Sequence, residues 1–198
     1  MTRGQQSVKR AMDLALALVL ALMTLPVSLV LIVLASLDTG SFGLFKQPRV
    51  GRFGRLFTLF KIRTLKGEGH RNPLEMAKAS SGFGQWLRRS KLDELPQFWQ
   101  VVFGQMSLVG PRPDLPGYAD QLQGKDRIIL ELRPGITGPA SIKYRNEDQI
   151  LIQQQDPDTY NDEVIWPDKV RINKTYYQNW SLGRDFGYLW QSIIHTKE

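Results

Sequence analysis

The chain has 198 residues, enough for one domain with a real hydrophobic core, and a formal charge of +7 from 26 Lys and Arg against 19 Asp and Glu. That balance favours an anionic partner such as nucleic acid, an anionic membrane surface or a polyphosphate. With no cysteine and only two separated histidines, His70 and His195, thiol chemistry, disulfides, zinc sites and a histidine triad drop out.

Carboxylates, lysines and arginines therefore have to carry any chemistry, and a metal held by carboxylates alone would be a hard cation such as Mg²⁺. From Leu14 to Leu37 the sequence is almost wholly apolar. Roughly 24 helical residues reach ~36 Å, enough for a bilayer core of ~30 Å. Arg3, Lys9 and Arg10 precede this run, and Lys46, Arg49, Arg52, Arg55, Lys61 and Arg63 follow it. A spanning helix has its positive flank on the cytoplasmic side only, whereas here both flanks are positive. Pro26, near the middle, favours a kink. A re-entrant helix over residues 1–40, entering and leaving by one face, satisfies both observations; a kinked span is the alternative.

Asp38-Thr39-Gly40-Ser41 is a polar turn. The runs around Gln47–Arg55 and Leu56–Thr64 predict a small β-hairpin with a glycine-containing turn. Lys61 and Arg63 then share one strand face, either as a solvated basic edge or as a phosphate clamp. Lys66 to Gly84 reads as a surface loop and potential lid, with one short helix around Leu74–Ala79. Gln85–Arg89 predicts a short helix delivering Arg88 and Arg89.

The next stretch is Ser90-Lys91-Leu92-Asp93-Glu94-Leu95-Pro96-Gln97. From Pro96 an apolar run predicts a helix that Gly104 stops, so Asp93 and Glu94 lie at or just before a helix N-terminus. Acidic residues are favoured there by the helix dipole alone, and the pair by itself is a weak signal for catalysis. Gly110-Pro111-Arg112-Pro113 is stiff and presents a guanidinium suited to bidentate phosphate recognition. Tyr118–Leu132 reads as a charged amphipathic helix and Arg133–Gly138 as a turn. Beyond Pro167 a helix is expected to about Asn179, followed by an aromatic-rich last segment. No Walker loop, dinucleotide fingerprint or nucleophile elbow occurs, and no nucleic-acid module is recognisable.

Taken together, these motifs resemble the bacterial sugar transferases, the small monotopic phosphoglycosyl transferases. The likeness rests on the basic N-terminus with its proline-broken apolar segment, Arg49-Val50-Gly51…Gly54, Lys61-Ile62-Arg63-Thr64 and Arg88…Ser90–Gln97. It continues through Met106–Pro113, Arg133–Gly138 and Asn179-Trp180-Ser181-Leu182. The resemblance implies transfer of a phosphosugar from a UDP-sugar to undecaprenyl phosphate, with release of UMP, by a ping-pong reaction. It implies Asp93 as nucleophile and Mg²⁺ site, and Glu94 as its partner, on the metal or as a base. It further implies Lys61, Arg63, Arg88, Arg112 and Arg145 as binders of phosphate or nucleotide. Gln105, Ser141 and Asn173 depart from the family pattern without touching the dyad.

The expected fold is mainly α with a small β-hairpin (α+β). It comprises a re-entrant membrane helix over 1–40 and a cytoplasmic, interfacial catalytic domain over 41–198, with amphipathic helices along the membrane lipid at the bacterial inner membrane. A homo-oligomer is left open, as are two other activities: a non-catalytic membrane-bound binder of polyphosphate or lipid, and a Mg²⁺-dependent phosphohydrolase.

Overall fold

The computed structural model describes residues 1–67 and 73–194, so His70, His195 and part of the expected lid lie outside the described residues. The chain is mostly helical, as expected. Helix α1 (Arg3–Thr39) opens with a capping box between Thr2 and Gln5 and closes on Gly40, whose left-handed backbone donates to the Ser36 carbonyl. Its buried residues, Lys9, Asp13, Ala17, Ala21, Ser28, Leu31 and Ala35, follow one helical face. The other faces are apolar and open, with Leu22, Met23, Val30 and Val33 all more than half exposed.

Strands β1 (Leu44–Val50) and β2 (Leu56–Ile62) form the expected antiparallel hairpin, with Phe45 opposite Lys61 and Arg49 opposite Phe57. The chain can enter β1 only because residue 43 is glycine. A Cβ there would stand 1.9 Å from the Ile32 carbonyl oxygen, and the Gly43 amide donates to Ser36 Oγ at 2.8 Å. Next come α2 (Pro73–Ala79), α3 (Gly82–Arg89) and α4 (Gln97–Val102). Ser81 caps α3 and also donates to Asp38 at 2.6 Å, tying α3 to the end of α1.

The stretch Tyr118–Leu132 is not the single amphipathic helix its sequence suggests. It forms two 3₁₀ segments, Ala119–Gln121 and Gly124–Glu131, separated where Leu122 turns extended and Gly124 adopts φ +54°. Nor is Arg133–Gly138 only a turn. It contains β4 (Gly135–Thr137), parallel to β3 (Ser107–Val109). Gly110 and Gly135 permit this, since a Cβ on Gly135 would lie 2.2 Å from the Gly110 nitrogen. The chain then runs through α5 (Pro139–Lys143), α6 (Glu147–Ile152) and α7 (Pro157–Tyr160). A π-helical turn at Asn161–Ile165 leads into α8 (Trp166–Gln178), and α9 (Leu182–Ile194) follows.

The main core gathers Ala17 of α1, Leu59 of β2, Val101 of α4, Met106 and Leu108 around β3, and Tyr176 of α8. A second cluster packs Leu31 and Ala35, near the other end of α1, against Ile62 and Leu87. Both ends of α1 are thus docked on one body. At the first end Lys9, 5 % exposed, places its Nζ 2.7 Å from Asp185 and 3.7 Å from Asp13. Asp185 also accepts from Tyr176 and from Trp180, at 2.6 and 3.0 Å. Asp13 accepts from the Ser107 hydroxyl at 2.6 Å and the Leu108 amide at 3.2 Å.

Removing one member of a buried ion pair leaves the other charge uncompensated, at a cost of roughly 3–5 kcal/mol. Lys9→Met is expected to lose stability on that scale in chemical denaturation of the detergent-solubilised chain. Adding Asp185→Asn to it should recover part of the loss.

Candidate active site

Between α3 and α4 the chain makes a 3₁₀ turn, Leu92–Glu94, entered through Lys91 in a left-handed conformation (φ +57°). This turn points the Asp93 and Glu94 side chains inward, 6 % and 8 % exposed. Pro96 stands at the N-cap of α4, so the dyad lies just ahead of that helix, as its sequence suggests. The site fills from two other directions. Lys61, on β2, places its ammonium 2.9 Å from Glu94 Oε1 and 3.9 Å from Asp93 Oδ2. Arg112, just beyond β3, reaches Glu94 Oε1 at 3.5 Å.

The two neighbouring carboxyls are driven in opposite directions. For Asp93 burial is the largest influence and raises its pKa; Lys61 opposes the rise and the Glu94 charge adds to it. Burial also penalises Glu94, but Lys61, Arg112 and Lys91 together outweigh it and hold that carboxyl well below the usual range. Asp93 Oδ1 is buried and has no hydrogen-bond partner among the described residues. One oxygen of this carboxylate is therefore uncommitted, beside two cations.

Of the residues singled out in the sequence, Asp93, Glu94, Lys61 and Arg112 meet directly. Arg63 falls just past the end of β2, where it donates to the Phe42 carbonyl at 3.0 Å and covers the Phe45 ring. Arg88 pairs with Asp148 of α6 at 3.4 Å, and Arg145 is exposed. Among the described residues, no hydrogen bond or ion pair joins Arg63, Arg88 or Arg145 to the dyad. No group of three or more His, Asp or Glu side chains positioned to hold a metal occurs among the described residues either.

A family model described as bacterial sugar transferase matches residues 4–197. The chain belongs to the bacterial sugar transferase family. It is similar to the sugar transferase EpsL of Bacillus subtilis (strain 168), 35% identical over 185 residues that cover 91% of this chain and 83% of that protein. The undecaprenyl-phosphate glucose phosphotransferase of Komagataeibacter xylinus is also 35% identical, over 93% of this chain but 35% of its own length. The undecaprenyl-phosphate galactose phosphotransferase of Salmonella typhimurium (strain LT2) is 28% identical over 96% of this chain and 40% of its own length.

This sugar transferase carries a further set of charges around Arg112, of which the motifs included Arg49 but not Asp114 or Glu147. Arg49, Asp114 and Glu147 all act electrostatically on Arg112 or on one another, and Lys169 binds Glu147 at 2.6 Å. Burial is the first cause of Asp114's rise to about 6, against the pull of Lys169, Arg49 and Arg112. Asp114 directly follows Pro113, so its place in the stiff motif was the available signal.

A rate that requires ionised Asp93 should fall on acidification at a pH above the ordinary aspartate value, because burial holds the proton on. Glu94→Gln removes a like charge and frees Lys61 to face Asp93, so the midpoint of the acid limb should move to lower pH. The pH dependence of kcat/KM for the two proteins checks this; an unchanged limb would contradict the coupling.

Proposed function

We propose that this protein moves a phosphosugar from a UDP-sugar to undecaprenyl phosphate, releasing UMP, through a covalent intermediate on Asp93. The family and the named activities of the relatives support a sugar phosphotransferase of polysaccharide synthesis. The observation that carries the finer reading is the buried, unpartnered Asp93 Oδ1 beside Lys61 and Arg112.

Asp93 Oδ1 attacks the β-phosphorus of the UDP-sugar, the new O–P bond forms, and the bond to the α-phosphate oxygen breaks, so that UMP leaves. An oxygen of undecaprenyl phosphate then attacks the same phosphorus and releases the Asp93 carboxylate. Lys61 and Arg112 offset charge that would otherwise repel an anionic nucleophile from a diphosphate. Glu94 suits the role of counter-ion that orients these two cations. Its depressed pKa makes it a weak proton acceptor, which argues against its serving as general base. Arg88 and Arg145 are exposed or paired only at the surface, free to turn toward the nucleotide, while Arg63 is held at the foot of α1.

Mg²⁺ fits this donor set. It takes one or two carboxylates and completes its shell with phosphate oxygens and water, and Asp93 Oδ2, which has Lys61 only at 3.9 Å, would be such a donor while Oδ1 is left to attack. When bound, it would supply electrostatic neutralisation of the diphosphate.

For the membrane we propose a re-entrant α1 at the cytoplasmic face of the inner membrane. A spanning helix would carry its first turns to the far side of the bilayer. Here Lys9 and Arg10 bind Asp185, Val101 and Val102 of the same body that holds Ser36 and Asp38. The open apolar faces of α1 and the exposed Phe186, Trp190 and Ile193 of α9 are suited to lipid and the interface.

With a matching radiolabelled UDP-sugar, label should become attached to the protein as UMP is released. Asp93→Asn should abolish the label and slow UMP release by more than about 10⁴-fold, as loss of a covalent nucleophile does. Normal turnover by that variant would refute the proposal, and binding without UMP release in the parent protein would favour a non-catalytic binder. For topology, both end tags should be cleaved by protease in inside-out inner-membrane vesicles; protection of the N-terminal tag alone would restore a span.

A further inference from the structure

The stiff segment carrying Arg112 is held from both sides. On one side the Gly110 amide donates to the Thr137 carbonyl at 2.9 Å and the Gly135 amide to the Pro111 carbonyl at 2.7 Å. On the other, the hairpin edge reaches residues 113 and 114. The Val50 amide donates to the Asp114 carbonyl at 2.9 Å, and Arg49 Nη1 donates to the Pro113 carbonyl at 3.0 Å. Three of these four bonds join backbone to backbone. The fourth comes from a guanidinium whose Nε and Nη2 are simultaneously spent on Gln47 Oε1, at 3.1 and 2.6 Å.

Holding a hairpin edge does not require a cation at this place. Burial and the nearby Arg112 charge both act against Arg49's proton, with Asp114 and Glu94 acting in its favour. A second guanidinium so close to Arg112 is therefore an electrostatic liability for folding. Its planar fork, however, can bridge a side-chain amide and a main-chain carbonyl at once, which a lysine ammonium on a flexible stem does poorly.

We propose that Arg49 is a positioning residue for Arg112. By fixing the Pro113 carbonyl, it sets the direction in which the Arg112 guanidinium leaves the backbone, toward Glu94 and the diphosphate. This rests on the phosphotransferase reading only for the identity of that diphosphate.

The test uses the full chain in detergent, as the parent protein, Arg49→Lys, Arg112→Ala and the double variant. Two readouts are needed: affinity for inorganic pyrophosphate by calorimetry, and UMP release from UDP-sugars. Arg49→Lys is expected to weaken pyrophosphate roughly tenfold with little change in melting temperature, and to change affinity by less than about twofold when Arg112 is already alanine. Gln47→Ala, which loosens the guanidinium and leaves its charge, should weaken pyrophosphate in the same direction. That variant decides the matter if Arg49→Lys does not fold.

Unchanged affinity in Arg49→Lys, an equal loss in both Arg112 backgrounds, or a parent chain that binds no pyrophosphate would each overturn the assignment. The two readings fail separately. Non-additive pyrophosphate binding without UMP release from any UDP-sugar would remove the activity and leave the positioning role. Turnover with additive losses would do the reverse.

Discussion

The structure depends on a lysine ammonium taken out of water in the first turns of a long, otherwise largely apolar helix. Lys9 could not be buried by one carboxylate alone, because removing ions from water costs several kcal/mol each. It is tolerated because the arrangement is completed around it. Asp185 is further bound by Tyr176 and Trp180, and Asp13 by Ser107 and Leu108. Helix α1, strand β3 and helices α8 and α9 are thereby joined at one point by charge and directional bonds, and the apolar cluster of Ala17, Val101 and Met106 packs beside them. The apolar helix α1 is consequently part of the packed body at its first end, just as Leu31 and Ala35 make it so at the other.

That junction bears on the chemistry through the chain itself. Asp13 fixes the first two residues of β3, and three residues beyond that strand stands Arg112. On the opposite flank Arg10 donates to the carbonyls of Val101 and Val102, capping the C-terminal end of α4, the helix whose N-terminus follows the dyad. The two segments that bring Arg112 and Asp93 to one place are thus both braced against the first turns of α1.

Much of the site was legible because its parts are local. Asp93 and Glu94 precede a proline-started apolar run, and that pattern alone sets them before a helix. Lys61 and the hairpin follow from alternation and glycines. What the sequence hid was non-local. Nothing near Lys9 signals that its partner is Asp185, 176 positions away. The β3–β4 pairing is only three residues per strand, too short for a periodic pattern, and needs two glycine backbones in contact. Tyr118–Leu132 has helical patterning, but Gly124 in a left-handed conformation breaks it. Arg63 looked equivalent to Lys61 by strand alternation, but β2 ends one residue before it, and its side chain follows the chain back to Phe42.

The difference in environment between the two carboxyls of the dyad follows from geometry finer than its sequence. Adjacent acids in a 3₁₀ turn project in different directions, and here only one of them points straight at both cations. Glu94 Oε1 has Lys61 at 2.9 Å and Arg112 at 3.5 Å, so its charge is stabilised and that oxygen is committed to two cations. Asp93 has Lys61 only at 3.9 Å, a raised affinity for protons, and one oxygen without a hydrogen-bond partner among the described residues. Basicity and nucleophilicity rise together for an oxygen anion, whereas a carboxylate satisfied by two cations is a poor attacker. On the proposed phosphotransferase reading, the same two cations would favour Asp93 for bond formation by satisfying its neighbour, and would stay beside it to meet the charge of an incoming phosphate. Exchanging the two residues would put the free oxygen on the longer side chain and the paired one on the shorter. Neither Lys61 nor Arg112 would then stand at the distance that separates the two roles.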